Sequence, residues 1–257
     1  MSHSGAPTID DVRDYWNRHI HDLEITRHPV ASPGFFADLD QYHFEKLHHL
    51  PRLVDFDGYR GKHVLDVGCG AGTDLARFAR GGARVTGVDI SSSAIDLARA
   101  NFAQLGLEAD LRESDGERLP FSDAAFDLVY AHGVVQYTVD PRRLIDECRR
   151  VLKPGGTAIF QVYNRLSWLN ALSKLMKVPL EHEDAPVLRR YSASEFRALL
   201  GGFSEVRLVA ERFPVRSRLH GGWKGFLFNT LFVGAFNAVP RPLVRGLGWH
   251  LLAFCRK

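Results

Sequence analysis

The segment HVLDVGCGAGTDLARFA, at residues 63–79, determines how the centre of this chain folds. It has the pattern of an apolar strand carrying an Asp, a turn with three glycines at alternating positions, and the start of an amphipathic helix. In such units the backbone approaches the ligand at the turn, and the helix N-terminus faces that ligand. The same turn serves dinucleotides, mononucleotides and nucleosides with an amino-acid tail, so neighbouring residues must distinguish them.

Strands and helices alternate along the chain around this segment. Alternation of short apolar runs with helices of about 10–15 residues is typical of a doubly wound α/β fold with a mostly parallel sheet. The predicted strands are residues 62–68, 84–90, 108–114, 126–134, 157–163, 204–213 and 248–257, the last as an edge strand. The predicted helices are residues 8–27, 38–50, 72–82, 91–106, 140–156 and 192–203, and residues 164–190 are expected to be less regular.

The composition is that of a globular protein, with 45% hydrophobic and 25% charged residues. Three cysteines, Cys69, Cys148 and Cys255, are too few and too scattered for a disulfide framework or a zinc site. This cysteine usage indicates a reducing, cytoplasmic setting. The first residues contain no apolar run typical of a signal peptide, so we expect a cytoplasmic protein.

Charge is distributed unevenly along the chain. Residues 187–257 carry a net charge of +9, whereas residues 1–186 carry −6. A basic segment suits an anionic surface or an anionic substrate, and a solvated basic face explains it equally well.

The most apolar stretch lies within this basic segment, at residues 223–240. It is too short and too interrupted by polar residues to span a bilayer, which takes about 20 apolar residues. Its basic flanks allow peripheral contact through residues 223–245 with the inner face of a membrane. Covering the sheet, lining a pocket for a lipophilic acceptor and forming a dimer contact are alternatives, so both a monomer and a homodimer are compatible with the sequence.

Three residues near the glycine turn narrow the choice of ligand. Thr73 follows the third glycine, which comes one place earlier than in the dinucleotide pattern. Asp66 precedes the first glycine by two residues, where a carboxylate repels a pyrophosphate and attracts an ammonium group. Asp89 ends the second strand, where a carboxylate accepts hydrogen bonds from ribose hydroxyls. An adenosine with a cationic amino-acid tail fits all three features.

Four ordered motifs, VLDVGCGAGTDLARFA, VTGVDIS, SDGERLPFSDAAFDLVYAHGVVQYTVDP and RVLKPGG, resemble those of class I S-adenosylmethionine-dependent methyltransferases of the small-molecule type. The resemblance implies a Rossmann-like, seven-stranded sheet whose last strand is antiparallel. It also implies S-adenosyl-L-methionine as cofactor and S-adenosyl-L-homocysteine as product. On this basis residues 1–58 form an N-terminal helical lid and residues 59–163 the cofactor-binding core. Residues 164–257 complete the domain and carry a helical insertion that sets specificity.

The resemblance also implies which residues bind the cofactor. They are Asp66, Gly68, Cys69, Gly70, Gly72, Thr73, Asp74, Asp89, Ile90, Asp115, Gly116, Glu117, Ala131 and His132. In this assignment Asp89 binds the ribose, Ile90 packs on the adenine and Asp115 accepts from the adenine amino group. The alternative for Asp115 and Glu117 is a polar loop without a ligand.

Methyl transfer to a nucleophile requires mainly that the acceptor atom be held in line with the leaving sulfur. A hydroxyl acceptor usually needs a base, and His132 at the end of the fourth strand is the candidate. Its alternative role is a hydrogen bond to backbone or a place in the pocket wall. Tyr163 and Asn164 follow the fifth strand and are candidate substrate contacts, unless they belong to a loop packed by Trp168.

The N-terminal part is rich in histidine and aromatic residues. Tyr15 and Trp16 are candidate substrate contacts on a helix that covers the cofactor. The N-terminal histidines lack a spacing that brings two of them onto one helix face, so no metal site is predicted. His182 lies in the acidic segment LEHEDAP, which binds a cationic acceptor or forms a polar loop.

The sequence thus predicts an S-adenosylmethionine-dependent methyltransferase acting on a small molecule, with a lipophilic acceptor favoured. The methylated atom, O, N, S or C, stays open. The alternative is a non-catalytic cofactor-binding or membrane-associated regulatory module of the same fold. Asp66 and Thr73 disfavour a nicotinamide oxidoreductase. A nucleic-acid substrate is disfavoured because no Asn/Asp-Pro-Pro-aromatic tetrad follows the fourth strand, although the basic C-terminal segment keeps it open.

Overall fold

A seven-stranded sheet forms the centre of the computed structural model, which describes residues 6–19, 25–177, 179–214, 223, 226, 229–230 and 233–257. The strands are β1 (His63–Val67), β2 (Arg84–Asp89), β3 (Asp110–Glu113), β4 (Phe126–His132), β5 (Leu152–Tyr163), β6 (Glu205–Glu211) and β7 (His250–Arg256). Their order is β3-β2-β1-β4-β5-β7-β6, and β7 runs antiparallel to both of its neighbours. The pairs among β1 to β5 are parallel, which confirms the predicted fold class.

Helices flank the sheet on both faces. In the described part of the chain they are α1 (Ile9–Arg18), α2 (Pro33–Lys46), α3 (Leu50–Leu53), α4 (Thr73–Arg80), α5 (Ser92–Leu105), α6 (Pro141–Val151), α7 (Trp168–Met176), α8 (Ala193–Leu199), α9 (Val233–Ala238) and α10 (Arg241–Val244). One core layer contains Leu65 and Phe160 and is covered by α6 and α8. The other contains Phe78 and Tyr130 and is covered by α4 and α5.

The first helix begins where a capping sequence predicts. The Thr8 side chain accepts a hydrogen bond from the Asp11 amide, and the Asp11 carboxylate accepts one from the Thr8 amide. The helix ends at Arg18, so the prediction of one helix over residues 8–27 is wrong in its length. Residues 20–24 of the predicted range lie outside the described part of the chain.

The second helix starts earlier than the predicted range of 38–50. It begins at Pro33, because Ser32 caps it and a proline at the first helical position has no hydrogen bond to lose. Pro51 does not end this helix as expected. It lies in the first turn of α3, where its missing N–H is tolerated for the same reason.

Two predictions in the second half of the chain also change. The helix predicted over residues 140–156 ends at Val151, because Pro154 cannot continue a helix and Gly155 has a positive φ of 71°. Residues 164–190 contain the regular helix α7, whose N-cap Ser167 accepts a hydrogen bond from the amide of Asn170.

The last strand is not at the edge of the sheet. β7 lies between β5 and β6, and β6 is the edge strand. Consecutive residues Leu251, Leu252 and Ala253 are all buried, which means that both faces of β7 are covered. No helix among the described residues is long and apolar enough to cross a membrane.

Candidate active site

A deep cavity opens at the carboxyl ends of β1, β2, β4 and β5. This is the edge at which open α/β sheets bind ligands, because the loops that follow neighbouring parallel strands diverge there. The glycine turn forms one wall, and Ile9, Val12 and Trp16 of α1 also line the cavity. The carbonyl of Trp16 and the side chain of Asn17 accept hydrogen bonds from Ser91, which ties α1 to the start of α5.

The glycine turn follows β1 and leads into α4. Gly68 and Gly70 both line the cavity and have positive φ values of 73° and 54°. A Cβ at Gly68 would lie 2.3 Å from Cγ2 of Val134, so no larger residue fits there without displacement. Cys69 and Thr73 also line the cavity, whereas Gly72 faces the α5 side chains as the N-cap of α4.

Three carboxyl groups surround this turn: those of Asp66, Asp74 and Asp89. Burial, together with the neighbouring Asp74 and Asp89, raises the pKa of Asp66 well above its ordinary value. Burial also raises the pKa of Asp89, although hydrogen bonds from backbone amides oppose the shift. Such a concentration of carboxyl oxygens attracts a cationic ligand and repels a phosphate.

Backbone amides of the two loops hold Asp89. One of its oxygens accepts from the amide of Gly70 and the other from the amide of Ser91, each at 2.9 Å. Asp89 and Ile90 both line the cavity. The end of β2, which carries the acid predicted to bind the ribose, is thus fixed relative to the glycine turn.

The loop after β3 places its predicted residues in two different environments. Asp115 and Gly116 line the cavity, and the Asp115 carboxylate accepts from the amide of Glu117 at 2.8 Å. Glu117 does not line the cavity. Its buried carboxylate accepts from the Thr138 hydroxyl at 2.6 Å and from the Asp140 amide at 2.8 Å, which joins this loop to the start of α6.

A His–Asp pair lies beside the glycine turn. The ring of His43 on α2 bonds through Nε2 to Asp74 at 2.9 Å, and the Tyr130 hydroxyl donates to the other Asp74 oxygen at 3.0 Å. Burial alone would raise the pKa of Asp74, but the charge and hydrogen bond of His43 lower it to about 2. Asp74 is therefore ionised and held in place by two partners.

His132 stands at the centre of a group of aromatic rings. It stacks on Tyr130 with ring centroids 6.0 Å apart, and the ring of His250 on β7 lies 5.7 Å away. His49 packs against His250 at 5.7 Å. Burial and the positive charge of neighbouring groups lower the pKa of His49 to about 3 and that of His250 well below its ordinary value. His132 lines the cavity, whereas Ala131 beside it is part of the hydrophobic core.

The candidate substrate residues are also divided. Trp16 and Tyr163 line the cavity. The Tyr15 hydroxyl instead donates to Asp184 at 2.9 Å, and it lies 3.1 Å from Nδ1 of His182. These contacts join α1 to the acidic segment, and neither Tyr15 nor His182 lines the cavity.

Asn164 supports the site from outside it. Its amide nitrogen donates to the carbonyls of Gly246 and Gly248, both at 2.8 Å, so it positions the chain that enters β7. The acidic segment is also engaged by protein groups, since Glu181 pairs with Lys46 at 3.0 Å and Glu183 pairs with Arg190 at 2.6 Å.

The lining residues that were not predicted as site residues include His43, Lys46, Gln161, Arg212 and His250. For the first, second and fourth no local signal exists, because their contacts depend on tertiary packing. Gln161 and His250 are polar residues in strongly apolar strands, and this pattern marks a buried polar position that needs a purpose. No group of three or more His, Cys, Asp or Glu residues in the described ranges is placed to hold a metal ion.

The chain is similar in sequence to known methyltransferases. Residues 65–160 match the family described as methyltransferase domain. Over 163 residues the chain is 33% identical to the ubiquinone biosynthesis O-methyltransferase of Alkalilimnicola ehrlichii. The aligned residues make up 61% of this chain and 65% of that protein. Over 106 residues it is 41% identical to the protein of the same name from Coxiella burnetii, and this alignment makes up 41% of this chain and 45% of that protein. The matched region therefore spans less than two thirds of either relative.

Among solved structures, the chain resembles the magnesium protoporphyrin IX methyltransferase of Synechocystis with bound S-adenosylhomocysteine. The TM-score is 0.63 at 16% identity, over 97% of this chain and all of that one. At this identity the likeness concerns the fold.

Proposed function

We propose that this chain, whose residues 65–160 match a methyltransferase domain family, is a class I S-adenosylmethionine-dependent methyltransferase that transfers a methyl group to an oxygen atom of a small molecule. The proposal of an oxygen acceptor rests on the relatives, which are named as O-methyltransferases. The choice of methyl donor is supported by the residues that line the cavity.

The arrangement of carboxyl groups around the glycine turn carries the proposal. S-adenosylmethionine has an ammonium group and a sulfonium, and it lacks the phosphates of a dinucleotide. Asp66 would stabilise the ammonium group, and together with Asp74 and Asp89 it would oppose a diphosphate. When bound, the cofactor supplies an electrophilic methyl group on a sulfonium.

Different residues of the cavity would bind different parts of the cofactor. Asp66 would pair with the ammonium, while Asp89 would accept from the ribose hydroxyls, since its two amide contacts fix its position. Asp115 and Ile90, which also line the cavity, would hold the adenine. Gly68 would allow the backbone to approach the amino-acid part closely, because a side chain there would collide with Val134.

The chain's own groups would then serve the acceptor. His132 at the end of β4 lines the cavity and is the candidate to take the proton of a hydroxyl acceptor. Trp16 on α1 and Tyr163 at the end of β5 line the cavity and would supply aromatic surface against a flat or lipophilic acceptor. As a lid over the bound acceptor, α1 would exclude water from the reacting atoms, since three of its residues line the cavity.

Binding of S-adenosylhomocysteine, measured by titration calorimetry, tests the proposal most directly. Asp89→Asn should lower the affinity by about 10- to 150-fold, because charge-assisted hydrogen bonds contribute about 1.5–3 kcal/mol. Asp96→Asn is the matched control, since that carboxylate is 75% exposed on α5. An affinity equal to wild type in Asp89→Asn would refute the ribose assignment, and no binding to wild type would refute the function.

Methyl transfer itself needs a second measurement. Formation of S-adenosylhomocysteine with a panel of phenols, carboxylic acids, amines and thiols separates an enzyme from a non-catalytic cofactor-binding module. The expected result is turnover with at least one oxygen acceptor and none with the amines.

We also propose that the C-terminal helices contact an anionic membrane surface. Large apolar side chains are exposed in residues 223–245, including Leu243 (75%) and Trp223 (69%), and the basic residue Arg245 is exposed in the same segment. Co-sedimentation with phosphatidylglycerol vesicles should exceed that with phosphatidylcholine vesicles, and Leu243→Asp should reduce it. Equal binding to both, or a stable dimer by light scattering that Leu243→Asp dissociates, would contradict this proposal.

A further inference from the structure

The carboxylate of Asp74 binds two side chains, and the rings of both lie next to His132. Its oxygens accept from Nε2 of His43 at 2.9 Å and from the Tyr130 hydroxyl at 3.0 Å. The ring of Tyr130 stacks on that of His132 with centroids 6.0 Å apart, and the ring of His43 lies 6.3 Å from it at an interplanar angle of 71°. Asp74 is only 7% exposed, and with both histidines it lines the cavity.

The charge state of this group follows from these contacts. Burial alone would raise the pKa of Asp74, but the charge and hydrogen bond of His43, the charge of His132 and the Tyr130 hydroxyl lower it to about 2. An ionised carboxylate only accepts hydrogen bonds, so Nε2 of His43 donates. By the same attraction the carboxylate favours the protonated form of both imidazole rings.

Two further histidines pack nearby and stay neutral. His250 on β7 lies 5.7 Å from His132, and His49 at the start of α3 packs on His250 at 5.7 Å. Burial, followed by nearby positive charge, lowers the pKa of His49 to about 3 and that of His250 well below its ordinary value. At neutral pH neither ring therefore adds a positive charge beside His132.

Other charged groups also line this cavity. Lys46 and Arg212 both pair with Glu181, at 3.0 Å and 3.9 Å, and after burial their charges contribute to the low pKa of His250. Positive charge of this kind disfavours a protonated histidine, and Asp74 acts against it. The carboxyl group of Asp66 has a pKa raised by burial and then by Asp74 itself, so Asp74 is the more readily ionised of the two.

Methyl transfer to a hydroxyl leaves a proton to be removed. The O–H bond breaks as its proton passes to an imidazole nitrogen, the new O–C bond forms, and the C–S bond breaks with its electron pair staying on sulfur. One positive charge thus leaves the donor and one appears on the imidazole. A carboxylate beside the imidazole stabilises that new charge and fixes the ring, which is how paired bases work in other enzymes.

We propose that Asp74 is a positioning residue for proton removal: it holds His43 and, beside His132, gives the cavity wall a two-histidine group that takes the proton of the methyl acceptor. This inference rests on the proposed function, since it assigns residues to the same reaction. It gives Asp74 a role other than the cofactor contact that the family resemblance implies, and it adds His43 to the reacting groups.

NMR titration of the histidine rings, with and without S-adenosylhomocysteine, tests this role without an acceptor. In Asp74→Asn, His132 and His43 should each bind a proton at least about tenfold more weakly, because a neighbouring opposite charge changes proton affinity by about 10- to 1000-fold. His63, exposed at the opposite end of β1, should titrate as in wild type. Asp96→Asn, at an exposed carboxylate, is the matched control and should change neither ring. Unchanged titration of either ring in Asp74→Asn would overturn the inference.

A second variant has the opposite sign and serves if Asp74→Asn does not fold. In His43→Gln the amide can still donate to Asp74, but it takes up no proton, so the carboxylate has one imidazole beside it instead of two. Groups that share a counter-charge titrate in coupled steps. His132 should therefore bind a proton more tightly in His43→Gln than in wild type. An unchanged or weaker proton affinity of His132 would contradict the proposal.

The pH dependence of turnover supplies the functional measurement. With a hydroxyl acceptor that wild type methylates, kcat/KM rises with pH as the base loses its proton. In Asp74→Asn this rise should move to lower pH by the amount that the NMR titration gives, and the plateau should be lower because the base is weaker. A merely structural role would lower the melting temperature and the plateau without moving the rise.

Affinity for S-adenosylhomocysteine separates this role from cofactor binding. Asp74→Asn should lose less affinity than Asp66→Asn, and a loss as large would overturn the inference and make Asp74 a cofactor ligand. If wild type does not bind S-adenosylhomocysteine, the proposed function fails. The NMR titrations of the unliganded protein then still show whether Asp74 controls the protonation of the two histidines.

Discussion

Replacing Asp66 by Asn should stabilise the empty protein and weaken its binding of the cofactor. Asp66 is buried at the end of β1, and its pKa is raised well above 3.8 by burial first, and then by the charges of Asp74 and Asp89. A carboxyl group whose pKa is raised on folding favours the folded state at pH values below its unfolded pKa. That contribution is lost as the pH rises through the folded pKa.

The size of the stability effect follows from this linkage. Each unit by which the pKa is raised costs the folded state about 1.4 kcal/mol at higher pH. For a chain of this length, that is a melting temperature lower by about 3–6 °C per unit. Asn cannot ionise, so the gain in melting temperature for Asp66→Asn should be present at pH 8 and disappear at about pH 4.

The effect on binding has the opposite sign. The ammonium group of S-adenosylhomocysteine next to Asp66 would favour the carboxylate, so binding should release up to one proton from wild type. Loss of this ion pair in Asp66→Asn should reduce affinity by about 10- to 150-fold, from about 1.5–3 kcal/mol for a charged hydrogen bond. The variant should release no proton from this position.

Calorimetry in two buffers of different ionisation enthalpy measures the protons released, and differential scanning calorimetry measures the melting temperature. Asp96→Asn, at an exposed carboxylate of α5, should behave as wild type in both. The reasoning fails if wild type releases no proton at any pH between 5 and 8, because Asp66 would then already be ionised. It also fails if Asp66→Asn binds as tightly as wild type.

Three further substitutions test the framework of the site, each by its melting temperature and its affinity for S-adenosylhomocysteine. Glu117→Ala removes a carboxylate that accepts two hydrogen bonds, one of them from Thr138. It should cost about 3 kcal/mol and lower the melting temperature by about 6–12 °C, and a change in affinity alone would contradict this role. Gly68→Ala places a Cβ 2.3 Å from Val134 at a φ of 73°, so both quantities should fall, and unchanged affinity would show that the turn tolerates a side chain. Asn164→Ala leaves two carbonyls before β7 without their donor, which should cost about 1–3 kcal/mol without changing affinity, and a loss of affinity at normal stability would show a direct contact.

Most strands and helices could be predicted because their signals are local. The cap at Thr8, the cap at Ser192 and the glycine turn each depend on residues within one helical turn of the chain. The order of the strands does not. β7 is predicted at an edge, although its run LLAFC is continuous and apolar, which is typical of a strand covered on both faces. β6 instead mixes charged and apolar residues.

The site divides in the same way between local and distant contributions. Asp66, Gly68 and Asp89 could be named from the sequence, because the turn and the strand ends that carry them form one short unit. His43 joins Asp74 across 31 positions, and Arg212 meets His250 across 38. Neither pair has a sequence pattern within its own segment. The first is revealed only by the packing of α2 against the sheet, and the second only by the pairing of β6 with β7.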